Sequence, residues 1–119
     1  MKAYTDLNQS KKLAEILPLE SADMRYVPFG DTHPWIWNEE VKLLEKDSVP
    51  CWSLAALLDV LNKKAHSLDE DGSVCLSSYK GIEWDCDLIN TAYLGASTSS
   101  NPVDVCYEII LKLHELKVL

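Results

Sequence analysis

The chain has 119 residues and a mass of 13.4 kDa, which is the size of one domain. It is 47% apolar and 25% charged, so it resembles neither a disordered nor a fibrous chain. Its net charge of −8 argues against binding a phosphate backbone, and no apolar run reaches the roughly 18–20 residues of a membrane span.

The first element is a helix from Asp6 to Leu17. Leu7, Leu13, Ala14, Ile16 and Leu17 recur at helical spacing, and Pro18 ends the pattern. Between Pro18 and Pro50 the signal weakens. Met24 to Val27 suits a short strand, and Phe29-Gly30-Asp31 suits a turn. Pro34-Trp35-Ile36-Trp37 puts two indoles on one face if extended, and Val41-Lys42-Leu43-Leu44 fits strand or helix about equally, with strand preferred.

A second helix begins after Pro50-Cys51-Trp52. Ser53 is its N-cap, and Leu54, Leu57, Leu58, Leu61 and Ala65 form its apolar stripe. Trp52 just before the cap and Leu57 four positions into the helix have the spacing of a hydrophobic staple, so Trp52 is structural.

A polar run from His66 to Ser73 leads to a hairpin across Val74 to Leu88. A three-residue Tyr79-Lys80-Gly81 loop pairs Val74 with Cys86, Leu76 with Trp84 and Ser78 with Ile82. In that register the apolar side chains share a face, while Glu83 and Asp85 turn to solvent with Cys75 and Ser77. Cys75 and Cys86 then point apart and cannot bond. A short strand is expected at Ala92 to Leu94, and Ala96 to Ser100 is read as a loop.

Asn101 caps the last helix, with Pro102 first and Asp104 in its opening turn. Cys106, Ile109, Ile110, Leu113 and Leu116 make its buried stripe. The expected fold is a single α+β domain over residues 1–119, with about three helices packed on a small antiparallel sheet.

The polar N-terminus lacks the apolar core of a signal peptide, and no C-x-x-C occurs among Cys51, Cys75, Cys86 and Cys106. Free thiols in a soluble, cytoplasmic protein are the expectation.

Three stretches carry a resemblance: Ser10 to Leu17, Pro50 to Leu58 with its P-x-W-S-L-x-x-L-L pattern, and Asn101-Pro102-Val103-Asp104. With the hairpin between them, they resemble small uncharacterised proteins of bacterial phages and mobile or prophage elements. The resemblance implies an accessory or interaction role and brings no activity or site residues with it.

Chemistry finds little purchase. His33, His66 and His114 lack any nucleophile turn nearby, so catalytic residues are not assigned. Asp69-Glu70-Asp71-Gly72 lacks the alternating ligands of a calcium loop, and Asp31-x-His33 and the Asp85/Asp87 pair supply two ligands each. Neither metal nor cofactor is expected. The order of helix, strands and helix after Trp52 is that of double-stranded RNA-binding domains. Residues 50–119 carry five lysines against ten acids, however, and none opens the last helix, so RNA binding is rejected.

What remains is surface. Asp69, Glu70, Asp71, Glu83, Asp85 and Asp87 are candidates for one acidic face aimed at a basic protein. Trp35, Trp37 and Tyr26 are candidate interface aromatics. The leading expectation is a non-enzymatic interaction protein whose partner is another protein, with no nucleic acid and no membrane. The first alternative is a small enzyme or ligand-binding domain built on Asp31, His33 and Cys51. The second is a self-associating assembly protein, a homodimer joined through the apolar last helix with its Tyr107, Leu111 and Val118.

Overall fold

In a computed structural model, described for residues 2–27, 33–36, 48–91 and 97–119, three α-helices pack with two antiparallel three-stranded sheets. The fold is α+β, as the element order implies. No helix among the described residues is long and apolar enough to cross a membrane.

Helix α1 spans Leu7–Ile16 and starts from a capping box. The Asp6 carboxylate accepts from the Gln9 backbone N–H at 2.8 Å, and the Gln9 side-chain oxygen accepts from the Asp6 N–H at 3.1 Å. Its inward stripe is Ser10, Leu13, Ala14 and Leu17 rather than one starting at Leu7, which is 42% exposed. Ser10 is fully buried because it faces Thr5, with the two hydroxyls 2.7 Å apart.

Strands β1 (Met24–Tyr26), β2 (Trp35–Ile36) and β3 (Val49–Cys51) form the first sheet in the order β2-β1-β3. Pro50 is tolerated because β3 is an edge. Beyond β3 the N-terminal segment runs alongside the chain: Thr5 N–H donates to the Trp52 carbonyl at 2.9 Å, and Leu54 N–H to the Ala3 carbonyl at 3.1 Å. The turn at 29–31 and the strand at 41–44 read from the sequence lie outside the described residues.

Helix α2 (Leu54–Leu68) is capped by Ser53, whose hydroxyl accepts from Ala56 N–H at 3.2 Å. Asp23 accepts from both the backbone N–H and the hydroxyl of Ser53, holding the start of the helix to the strand layer. Trp52 and Leu57 are both fully buried in one cluster, as the staple spacing implies, and the Trp52 indole N–H donates to Ser21 Oγ at 2.9 Å. Trp52 is thus a core residue with its polar atom satisfied.

The second sheet comprises β4 (Ser73–Tyr79), β5 (Glu83–Ile89) and β6 (Ser97–Ser99), in that order. The hairpin is present, but its register differs by two residues from the expected one. Val74 pairs with Leu88, Leu76 with Cys86, Ser78 with Trp84 and Tyr79 with Glu83, leaving Lys80-Gly81-Ile82 as the loop. Gly72 explains the shift. The expected register would set Leu88 opposite Gly72. That glycine is held in a turn by its N–H to the Asp69 carbonyl at 2.8 Å, against the end of α2. Leu88 pairs with Val74 instead. Lys80 and Gly81 take the tip at φ 55 and 68, and Ile82 is 71% exposed rather than paired. A two-residue shift preserves the faces, so Cys75 is exposed while Cys86 is buried.

The Ala92 to Leu94 strand lies outside the described residues. Strand β6 falls instead in the Ser/Thr stretch read as a loop, where pairing with β5 overrides a composition that suggests a turn.

Helix α3 (Pro102–Glu115) has Asn101 as its cap, accepting from Asp104 N–H at 2.8 Å. It buries Val103, Val105, Cys106, Ile109, Ile110 and Leu113 and packs against α2, β5 and β6. Leu116 is 54% exposed because the chain reverses there. Lys117 takes φ 60, and Val118 N–H returns to the Leu113 carbonyl at 2.9 Å. Tyr107 and Val118 pack half-buried against the same core, so part of this helix's extra apolar surface is used within the chain.

Lys2 ties the N-terminal segment to α3, its ammonium 2.8 Å from Asp104 and 3.3 Å from Asp6. Asp104 also accepts from Gln9 at 2.8 Å and Asn101 at 2.7 Å. Partial burial pushes the Asp104 carboxyl up, but these hydrogen bonds and the Lys2 charge outweigh it and hold the group below its ordinary value.

A Cβ at Gly72 would lie 2.1 Å from the Ala65 carbonyl oxygen, whereas one at Gly81 meets nothing within 4 Å. Urea unfolding of Gly72→Ala should therefore show a loss of about 2–3 kcal/mol, against about 1 kcal/mol for Gly81→Ala from its positive φ. The lowered Asp104 pKa contributes stability that is complete above the unfolded-state value, about 3.9, and is lost as pH falls through the folded value. Thermal melts from pH 7 to pH 2 should show Asp104→Asn less stable by about 1 kcal/mol near neutrality, the gap closing in acid.

Candidate interaction surface

Strand β5 alternates cleanly. Cys86 and Leu88 are buried and Trp84 is half-buried, so Glu83, Asp85, Asp87 and Ile89 must turn outward, and all four are exposed. The three carboxylates stand in a row, successive members about 7 Å apart at two strand residues each. Across the ladder they face Tyr79, Ser77 and Cys75 of β4. On the other side, Thr98 of β6 donates its hydroxyl to Asp85 at 3.0 Å.

The turn Asp69-Glu70-Asp71 adjoins the base of this sheet. Asp71 N–H donates to the Asp69 carboxylate at 2.8 Å, and the Asn90 side-chain amide, just past β5, donates to the Asp71 carbonyl at 3.1 Å. All three acids are exposed. Lys80 is the one lysine or arginine between Lys64 and Lys112. It sits at the hairpin tip with its ammonium 5.5 Å from the centre of the Tyr79 ring. A hollow of about 490 Å³ opens there between Tyr79, Ile82, Glu83 and Thr98.

Two of the aromatic candidates, Trp35 and Tyr26, lie elsewhere. Trp35, 44% exposed, is on β2 in the other sheet, and Trp37 lies outside the described residues. Tyr26 is half-buried, and its hydroxyl donates to the Thr5 carbonyl at 2.7 Å. Burial pushes its pKa up, so it stays neutral.

Of the residues suggested for catalysis, His33 and Cys51 are described, and no hydrogen bond joins them. Cys51 is fully buried, its thiol donating to the Thr5 carbonyl at 3.4 Å, and burial pushes its pKa up. A thiol held protonated is a poor nucleophile. His33 meets the Tyr4 hydroxyl at 3.2 Å, and Asp31 lies outside the described residues. Among the described residues no histidine hydrogen-bonds to a cysteine or serine, and no group of three or more His, Cys, Asp or Glu is placed to hold a metal ion.

One feature escaped the sequence reading. A groove of about 440 Å³ lies between Leu17, Pro18 and Ser21 on one side and Val60, Lys63 and Lys64 of α2 on the other. It joins segments some forty residues apart, so no local pattern announces it. Lys63 is engaged by Asp59 at 2.8 Å.

No family model, no curated protein and no solved structure matches the chain.

Proposed function

We propose that this chain is a non-enzymatic interaction protein that uses the outward face of β4, β5 and β6 to hold a basic segment of another protein. The observation that carries the reading is the row Glu83, Asp85 and Asp87, with Asp69, Glu70 and Asp71 adjoining its base and Lys80 the only cation nearby in sequence. Exposed charge pairs contribute about 0–1 kcal/mol each, so such a face works by steering, register and exclusion of wrong partners more than by raw affinity. The exposed Tyr79 and Ile82 at its tip add apolar contact area. Trp35, on the other sheet, belongs to a separate, aromatic contact in this reading.

The reading includes a cytoplasmic location, which the four free cysteines favour, and an origin in a phage or mobile element, for which the resemblance of the three stretches is the support. A second reading, small-molecule binding, draws on the groove beside α2, whose volume lies within the range of ligand pockets.

The test is capture of partners from bacterial lysate at low and moderate salt by three tagged proteins. These are the wild type, Asp85→Lys/Asp87→Lys, and a control, Glu15→Lys/Glu108→Lys, on α1 and α3. Both variants move the net charge from −8 to −4. The face variant should lose a specific, salt-weakened partner by roughly tenfold or more, while the control retains it. Equal capture by all three would refute the acidic face. An empty bait with a small molecule retained in native mass spectrometry would favour the groove.

A further inference from the structure

The second sheet ends on β4, and that edge differs from the others. Strands β2, β3 and β6 are two or three residues long, and the N-terminal segment runs alongside β3, whereas β4 has seven residues. Its ladder with β5 is unbroken from Ser73 to Tyr79, so no bulge bends it away, and that run holds no proline and no charged residue. Proteins ordinarily blunt a long edge with one of these devices, because its unpaired N–H and C=O groups are a template for another strand.

The direction of those groups follows from one bond. Val74 N–H donates to the Asn62 side-chain oxygen at 3.2 Å, so it points away from β5. Backbone groups alternate along an antiparallel strand, and the N–H and C=O of Leu76 and Ser78 therefore face the same side. Among the described residues nothing bonds to them there, and Cys75, Ser77, Ser78 and Tyr79 are exposed.

The row on β5 sets what fits this edge. Asp87 and Asp85 stand directly across from Cys75 and Ser77, two short side chains. A strand added beside β4 would lie about 10 Å from β5, twice the strand spacing. An extended lysine or arginine and a carboxylate close that gap between them. Thr98 occupies Oδ1 of Asp85 and leaves Oδ2 for a cation. A second copy of the chain suits the edge less, since pairing β4 with β4 would flank one seam with two acidic rows.

We propose that a basic, extended segment of the partner protein adds to the edge of β4 as a fourth strand, its alternate lysines or arginines crossing Cys75 and Ser77 to reach Asp87 and Asp85. Strand addition rests on the acidic-surface reading and supplies its binding mode. Main-chain hydrogen bonds to Leu76 and Ser78 give affinity, and cations at every second position give specificity.

The probe is a peptide of about eight residues, a usual strand length, alternating lysine with valine and blocked at both ends. It is titrated at low salt into the isotope-labelled full chain, and amide exchange is read by NMR. Three proteins are compared: the wild type, Ser78→Pro, and Asp85→Lys/Asp87→Lys. Proline at 78 removes an outward N–H and no ladder bond, and it leaves the acids in place. Bound peptide should slow exchange at Leu76 and Ser78 by roughly tenfold or more. Both variants should bind it about tenfold or more weakly than the wild type does. Equal binding by the wild type and Ser78→Pro, lost only in the charge variant, would overturn strand addition and leave the acidic face standing. Equal binding by all three would overturn both, and no binding by the wild type would overturn strand addition. Protection of Leu76 and Ser78 in the chain alone, rising with its concentration, would make the edge a seam between copies and overturn the proposal too. If Ser78→Pro does not fold, exchange at Leu76 and Ser78 in the wild type decides.

Discussion

The strict alternation of β5 governs both halves of this molecule. Leu88 and Cys86 are packed under α3, and the side chains between them must then face away from the core. Slipping β5 by one residue would drive Asp85 and Asp87 into the apolar cluster, at a cost of several kcal/mol for each unpaired charge. The acidic row is thus held by the same packing that makes the core. Register is pinned at two further points: Gly72 against the end of α2, and the Asn62 side-chain oxygen, which accepts from Val74 N–H at 3.2 Å.

A second constraint sits at the other sheet. Thr5 is completely buried, yet its backbone and hydroxyl are used by Ser10, Tyr26, Cys51 and Trp52. This small polar knot joins the N-terminal segment, α1, β1 and β3. It also explains why Cys51, conspicuous beside Trp52 in the sequence, is a packed hydrogen-bond donor rather than a nucleophile. Among the described residues no buried polar side-chain atom is left without a partner, as a packed polar knot requires.

The helices were legible because their signals are local. Asp6, Ser53 and Asn101 each begin a helix as their side chains dictate, and Pro18 ends one. The outward turn of Glu83 and Asp85 was legible too, since alternation alone assigns the two faces of a strand. What depended on distant contacts was not. The hairpin register rests on Gly72 meeting Ala65; β3 contains a proline; and β6 is a Ser/Thr run that becomes a strand by pairing with β5. Leu7 and Leu116 were misplaced because each sits at a helix end, where one further turn decides burial. In the candidate site, Glu83, Asp85 and Asp87 share the outward face of β5, as alternation along a strand implies. The separation of Trp35 from them follows from the division into two sheets, which composition does not reveal.

A partner seated on the proposed surface would cover the outward carboxylates of β5 and the adjoining turn. Carboxyl footprinting tests it most directly: a carbodiimide-coupled amine labels acidic side chains of the protein alone and bound to its captured partner. Labelling should fall at Glu83, Asp85 and Asp87, with Asp69, Glu70 and Asp71 following, while Glu15, Asp59 and Glu108 are unchanged. Protection confined to Asp59 and Glu20 beside the α2 groove, with the β5 row still fully labelled, would contradict it.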